Sequence, residues 1–270
     1  MGKMIVFWSP WHGQAKVTAS MGAVAIQLNR ISKERVVMTH SQFEMADLEG
    51  MFNRMDPEKR KLLYINSGLS AAILRFKQSK LTEDAIEQCL IPVTSTGLYL
   101  LPGTEQSAAV VQETDTSDIV RTLLARDIPN HYEWVCVDLL SGNNPLSMQL
   151  IEAADVVVVT LSQNAATWEG YFKNSPAPFK KDNVFYLLGG YDANSRNNEK
   201  RFMQLYSKYV TEDRVGVVPY CTGYMDAISS GTAMTFHYVN ENVKKNEENF
   251  CFIKECAQTA EKLIAFAERA

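Results

Sequence analysis

Ser9-Pro10-Trp11-His12-Gly13-Gln14-Ala15-Lys16-Val17-Thr18 joins an apolar run, residues 4–8, to a helical pattern over residues 16–29. A glycine-containing turn at such a junction, closed by a lysine and a hydroxyl residue, is suited to holding phosphate groups. Backbone N–H groups and the positive end of the helix face the anion, and the lysine reaches the outer oxygens. The complete pattern is G-x-x-x-x-G-K-[ST]. Gly13 and Lys16 are kept, but Ala15 precedes the lysine and Val17 follows it. The loop reads as a damaged phosphate site, so binding and hydrolysis become separate questions.

Around this junction strands and helices alternate. Strand patterns fall at residues 4–8, 35–39, 62–65, 99–101, 134–139, 156–161, 184–188 and 215–218. Several are continuously apolar, as strands covered on both faces are. Helical patterns fall at 16–29, 69–78, 115–124, 146–153, 199–209 and 253–267. The alternation predicts an α/β fold, a three-layer α-β-α sandwich around a doubly wound, mainly parallel sheet. The ligand crevice then lies at the carboxyl ends of the strands, where residues 9–16, 140–144 and 219–222 belong. No linker or repeat divides the chain, and a single domain over residues 1–270 is expected. The polar stretches 192–200 and 240–249 read as solvated surface.

Composition narrows the function classes. The 270 residues carry a net charge of −4, which gives no bulk attraction to nucleic acid or anionic lipid. The five cysteines form no C-x-x-C pair and read as reduced, mostly buried thiols of a cytoplasmic protein. There is no signal-peptide pattern, and no apolar run approaches the ~20 residues of a membrane span. The four histidines lack metal-ligand spacing, and no G-x-S-x-G elbow appears.

The second informative segment is YEWVCVDLLSGNN, residues 132–144. Its apolar strand ends in Asp138 before a small turn. With a phosphate loop nearby, such an aspartate orients Mg²⁺ or its water shell; alone it could simply cap the turn. Taken together, five segments in order resemble the MinD/ParA group of P-loop ATPases, whose deviant Walker A motif reads K-G-G-x-G-K-[ST]-[ST]. Besides the loop, these are LYLLPGT (98–104), VCVDLLSG (135–142), AADVVVVTLSQN (153–164) and VGVVPYCTGYMDAISSG (215–231). Within the group, LLPGT and VVPY lean towards the TadZ/CpaE-like proteins that position pilus-assembly machinery.

The resemblance implies a nucleotide, ATP or ADP, held by Gly13, Gln14, Ala15, Lys16, Val17 and Thr18, with Pro219 and Tyr220 beside the adenine. Lys16 takes the place of the phosphate lysine, and Thr18 that of the last hydroxyl, which contacts the α-phosphate. Asp138 falls on the Walker B aspartate and holds Mg²⁺ indirectly. Departures are as informative. Trp11 stands for the lysine that reaches a partner's nucleotide, and His12 for the first glycine. Ala15 replaces the last glycine and is expected to bring a Cβ towards the phosphates, penalising positive φ by about 1 kcal/mol. Val17 replaces the hydroxyl that ligates Mg²⁺. The second strand ends MTHSQ, residues 38–42, so His40 stands for the catalytic aspartate and Gln42 alone is retained. Gly189 falls where an asparagine often reads the adenine edge.

Phosphoryl transfer depends on positioning and charge neutralisation. Loss of one such group costs about 10²–10³ in rate, so three losses predict weak hydrolysis, while a helix end and Lys16 keep an anion site. Two readings stand for several residues. His40 is either a substitute base or a strand-end histidine bonding a neighbouring loop. His12 either contacts a phosphate or caps the helix. Trp8 reads as core; Trp11 packs in its loop, or stacks on a base or lies in a homodimer interface. The last helix, with Ile253, Ala257, Ala260, Ile264 and Ala267 on one face, docks on the sheet or lies on a membrane surface.

The leading expectation is a cytoplasmic nucleotide-binding positioning factor, peripheral at the membrane through a partner. It would form a homodimer and engage a protein of an assembly machine, without specific nucleic acid. The alternatives are a pseudo-ATPase scaffold that binds only proteins, and an active ATPase with relocated catalytic groups.

Overall fold

The computed structural model describes residues 1–41, 47–54, 67–78, 81–104, 114–174 and 182–269. The residue pattern of its first strand explains the layering. In β1 (Lys3–Trp8), Met4, Val6 and Trp8 enter one buried cluster while Ile5 and Phe7 enter another. Alternate residues face opposite sides of a strand, so a strand apolar at every position needs helices on both faces.

The chain then runs α1 (Val17–Ser32), β2 (Val36–His40), α2 (Asp47–Phe52), α3 (Gly68–Gln78), α4 (Glu83–Glu87), β3 (Ile91–Pro92) and β4 (Leu98–Leu100). Next come α5 (Thr114–Thr122) with a π turn at Leu123–Asp127, β5 (Trp134–Asp138), α6 (Pro145–Ala153), β6 (Val156–Leu161) and α7 (Ala165–Asn174). It closes with β7 (Val184–Tyr191), α8 (Glu199–Leu205), β8 (Val215–Pro219), α9 (Thr222–Ser230), α10 (Ala233–Val239) and α11 (Phe250–Ala267).

The eight strands form one sheet in the order β3-β4-β2-β5-β1-β6-β7-β8. Every pairing is parallel except the two-residue β3 against β4. Apolar residues of α3, α5, α6, α7 and α8 cover one face, and those of α1, α2, α9, α10 and α11 the other. The three-layer α/β expectation holds.

The expected strand at 62–65 lies outside the described residues. The expected helix at 199–209 stops at Leu205, and α2, α4, α7, α9 and α10 went unread in the sequence. In α11 the buried stripe is Phe252, Cys256, Thr259, Leu263 and Phe266 alongside Ile253, Ala260 and Ala267. Ala257 and Ile264 are only partly buried, so the expected face is rotated. The stripe packs on β8 and α1, which is the docked alternative and not the membrane-surface one. Among the described residues, no helix is long and apolar enough to cross a membrane. Cys89, Cys136, Cys221 and Cys256 are buried thiols, whereas Cys251 is exposed.

Candidate functional site

Parallel strands β1, β5 and β8 bring the 9–16 loop, the 139–144 turn and the 219–221 turn to one end of the sheet. The first two are tied together. Gly142 N–H donates to Ser9 O at 3.0 Å, and Trp8 Nε1 donates to Gly142 O at 3.0 Å. Trp8 is buried core, as expected. Trp11 packs over Gly170 of α7, where an added Cβ would meet its ring at 3.3 Å.

A cavity of about 320 Å³ lies against the start of α1, lined by His12, Gly13, Lys16, Val17, Thr18 and Ala19 on the loop side. Met51, Met225, Ile228 and Ser141 complete it. That volume is at the small end of the ~300–1,000 Å³ usual for small-molecule sites. Gly13 is left-handed at φ 72°, as such a turn requires. The first turn of α1 itself carries no acidic residue, which suits an anion at its positive end. His12 is an exposed wall of the cavity and does not cap α1, whose N-cap residue is Lys16.

Two expectations about the loop need correction. Ala15 does not aim a Cβ at the cavity: it is buried at 1% exposure and does not carry positive φ. The left-handed residue is Lys16 itself, at φ 51° and ψ 46°. Gly189 is not a vacant reading position, because the Ala15 carbonyl sits where its Cβ would be. Any side chain at 189 therefore displaces the loop. Gly189→Ala is expected to cost about 1–3 kcal/mol by overpacking, read as a lower urea midpoint; an unchanged midpoint would show a loop that yields freely.

Thr18, which the resemblance assigns to an α-phosphate, donates its Oγ1 hydroxyl to Asp138 Oδ2 at 2.5 Å. Val17 cannot ligate a metal, but a hydroxyl–carboxylate pair is present one position later. Mg²⁺ binds through one or two carboxylates and keeps several waters. The pair fits such an ion, with Thr18 and Asp138 as the residues that would hold it.

His40 ends β2 in register with Asp138 and is 3% exposed. It does not line the cavity. Its Nε2 lies 2.8 Å from Glu49 Oε1, in α2, which also accepts the Gly103 N–H at 2.9 Å. Burial raises the Glu49 carboxyl, but the His40 charge, the His40 hydrogen bond and the Gly103 N–H outweigh it. The net position is below the ordinary carboxylate value. Sequence reasoning missed Glu49, and the substitute-base reading of His40 loses its geometry. Gln42 lies outside the described residues. Pro219 is partly buried and Tyr220 is 54% exposed beside the loop.

No family model and no curated protein matches the chain. Solved structures do. A ParA family ATPase from Chlorobium tepidum TLS matches with a TM-score of 0.70 over 97% of this chain and 99% of its own, at 14% identity. The septum site-determining protein MinD from Pyrococcus horikoshii OT3, complexed with Mg-ADP, matches at 0.65 over 99% of both chains, at 14% identity. The MinC:MinD cell division protein complex of Aquifex aeolicus contributes a chain that matches at 0.66, over 98% of this chain and 96% of that one, at 13% identity. At such identities the likeness is one of architecture, and this chain has the fold of the MinD/ParA ATPases.

Proposed function

We propose that this protein binds ATP or ADP with Mg²⁺ at the 9–18 loop, hydrolyses it slowly or not at all, and acts as a positioning or assembly factor. Its nucleotide state biases homodimerisation. The observation that carries this reading is the Thr18–Asp138 hydrogen bond beside the cavity at the start of α1. A hydroxyl–carboxylate pair and a helix end, with a lysine on the same loop, are elements that hold a magnesium–phosphate group. MinD from Pyrococcus horikoshii, of the same fold, is complexed with Mg-ADP, and the MinC:MinD complex supports a protein partner. A pilus or secretion machine of the TadZ/CpaE kind rests on the LLPGT and VVPY segments, and placement in the cytoplasm on the cysteines, which form no C-x-x-C pair.

Weak hydrolysis follows from what the site lacks. Val17 and Trp11 stand where a metal ligand and a trans lysine would act, and His40 is sealed against Glu49. Calorimetry with Mg²⁺ and ATP or ADP tests the binding claim. Micromolar binding is expected, weakened about 10–100-fold by Lys16→Ala through loss of charged hydrogen bonds. Phosphate release should be no higher in the wild type than in Lys16→Ala; release abolished by that substitution would instead support the active-ATPase reading.

A second reading, the pseudo-ATPase scaffold, is favoured by the direction of Lys16, whose ammonium lies on the Tyr220 ring. Absence of binding at millimolar nucleotide would establish it.

A further inference from the structure

The phosphate lysine is already engaged. Lys16 Nζ lies 5.5 Å from the Tyr220 ring centroid. Its stem crosses Gly190, where an added Cβ would meet Lys16 Cδ at 3.1 Å and Cε at 3.3 Å. Gly190 sits at φ 63°, within the irregularity of β7 between Gly189 and Tyr191. That bulge turns the backbone aside and opens the channel the stem occupies. The Tyr220 backbone is tied to the same bulge, since its N–H donates to Tyr191 O at 2.9 Å.

The Lys16 backbone is correspondingly unusual. Among the described residues, only Lys16 and Lys33 are non-glycine residues at positive φ. Lys33 follows the last residue of α1 and donates its N–H to Asn29 O, a place where left-handed backbone is common. Lys16 precedes the first residue of α1, where extended backbone is the rule, and its side chain makes no capping bond. A left-handed lysine is disfavoured unless a contact holds it there, and the Gly190 channel and Tyr220 ring supply that contact.

We propose that Tyr220 is an affinity-setting residue that holds Lys16 off the anion site, so that a polyphosphate must displace the lysine from the ring in order to bind. This rests on the nucleotide reading above. Here Tyr220 acts as a competitor of the phosphates for one cation, a different role from that of a neighbour of the base. The chemistry recognised is the polyphosphate chain itself, whether free or carried on a nucleoside.

Two measurements test it. The first uses ligand-free protein and NMR. The Lys16 ε-methylene protons are expected upfield through the Tyr220 ring current, returning to the ordinary position in Tyr220→Ala and staying upfield in Tyr220→Phe. An unshifted wild-type signal overturns the proposal whatever the protein binds. The second is titration with inorganic tripolyphosphate, which has no base to stack. Tyr220→Ala should bind it about two- to five-fold more tightly than wild type, the size of an exposed cation–π contact, and Tyr220→Phe should match wild type. Wild-type binding unchanged by Tyr220→Ala overturns the competition and leaves the nucleotide reading standing. Loss of ATP affinity with no change for tripolyphosphate also overturns it, assigning Tyr220 to the base. If the contact is seen and neither protein binds tripolyphosphate or ATP, the competition and the nucleotide reading fall together.

Discussion

Replacing Glu49 with alanine is expected to lower the thermal midpoint by roughly 10 °C. His40 and Glu49 are 2% and 3% exposed at the side chain and 2.8 Å apart. Glu49 Oε1 is shared with the Gly103 N–H, so one carboxylate fastens the end of β2, the helix α2 and the 101–104 turn. Gly103 lies so close to the imidazole that an added Cβ would overlap His40 Cε1. Deleting one member of a buried pair strands the other and costs about 3–5 kcal/mol. Each kcal/mol moves the midpoint of a chain this size by roughly 2–4 °C. Replacing both members by apolar residues, as in His40→Leu with Glu49→Met, should recover most of the loss, because the desolvation penalty goes with the charges. Circular-dichroism melts of the three proteins decide it: a Glu49→Ala midpoint within 2 °C of wild type would sink the account. The pH dependence has a definite sign. A carboxyl held below its ordinary value stabilises the fold above that value, near ~4.3. The contribution is then lost as pH falls through the lower, folded-state value.

The strand-to-helix loop at residues 9–16, the strand ending in Asp138 and the sheet were legible because each is a local pattern. A glycine turn between strand and helix, or an apolar run ending in an acid, is set by residues a few positions apart. What the sequence did not yield depends on distant contacts. The Lys16 side chain lies along Gly190 and over Tyr220, far along the chain. Glu49 meets His40 across nine residues, from a six-residue helix with too few turns to show a period. Helix α7 was hidden by Gly170, a poor helix former whose missing side chain makes room for Trp11. The antiparallel strand at Ile91–Pro92 is two residues long and ends in proline, which only a sheet edge tolerates. Thr18 shows how a motif can be damaged in sequence and partly kept in space, since helix geometry lets the hydroxyl one position on reach Asp138.

His237→Phe is expected to remove a second acid sensitivity, in a different pH window. His237 is fully buried in α10, with ring centroids of Tyr224, Phe236 and Phe252 at 5.3, 5.8 and 5.9 Å. Its Nδ1 lies 3.1 Å from the Gln27 amide nitrogen of α1, and its Nε2 has no hydrogen-bond partner among the described residues. Burial, with the nearby Arg30 charge adding to it, pushes the imidazole down to about 3 from an ordinary 6.5. Above pH 6.5 the ring is neutral folded and unfolded, and stability does not vary with pH on its account. Below 6.5 the unfolded chain takes up a proton that the folded chain refuses. Stability then falls by about 1.4 kcal/mol per pH unit, approaching a total of about 5 kcal/mol near pH 3. The Glu49 contribution is still intact over most of this range, so the two groups can be separated. Urea unfolding at pH 7.5, 5.5 and 4.5 should show wild type losing roughly 2–3 kcal/mol between the first and last. His237→Phe should start about 1 kcal/mol lower, because the Gln27 amide loses its acceptor, and decline less steeply. Parallel declines in the two proteins would mean that the α1–α10 contact opens to water well before the ring is protonated.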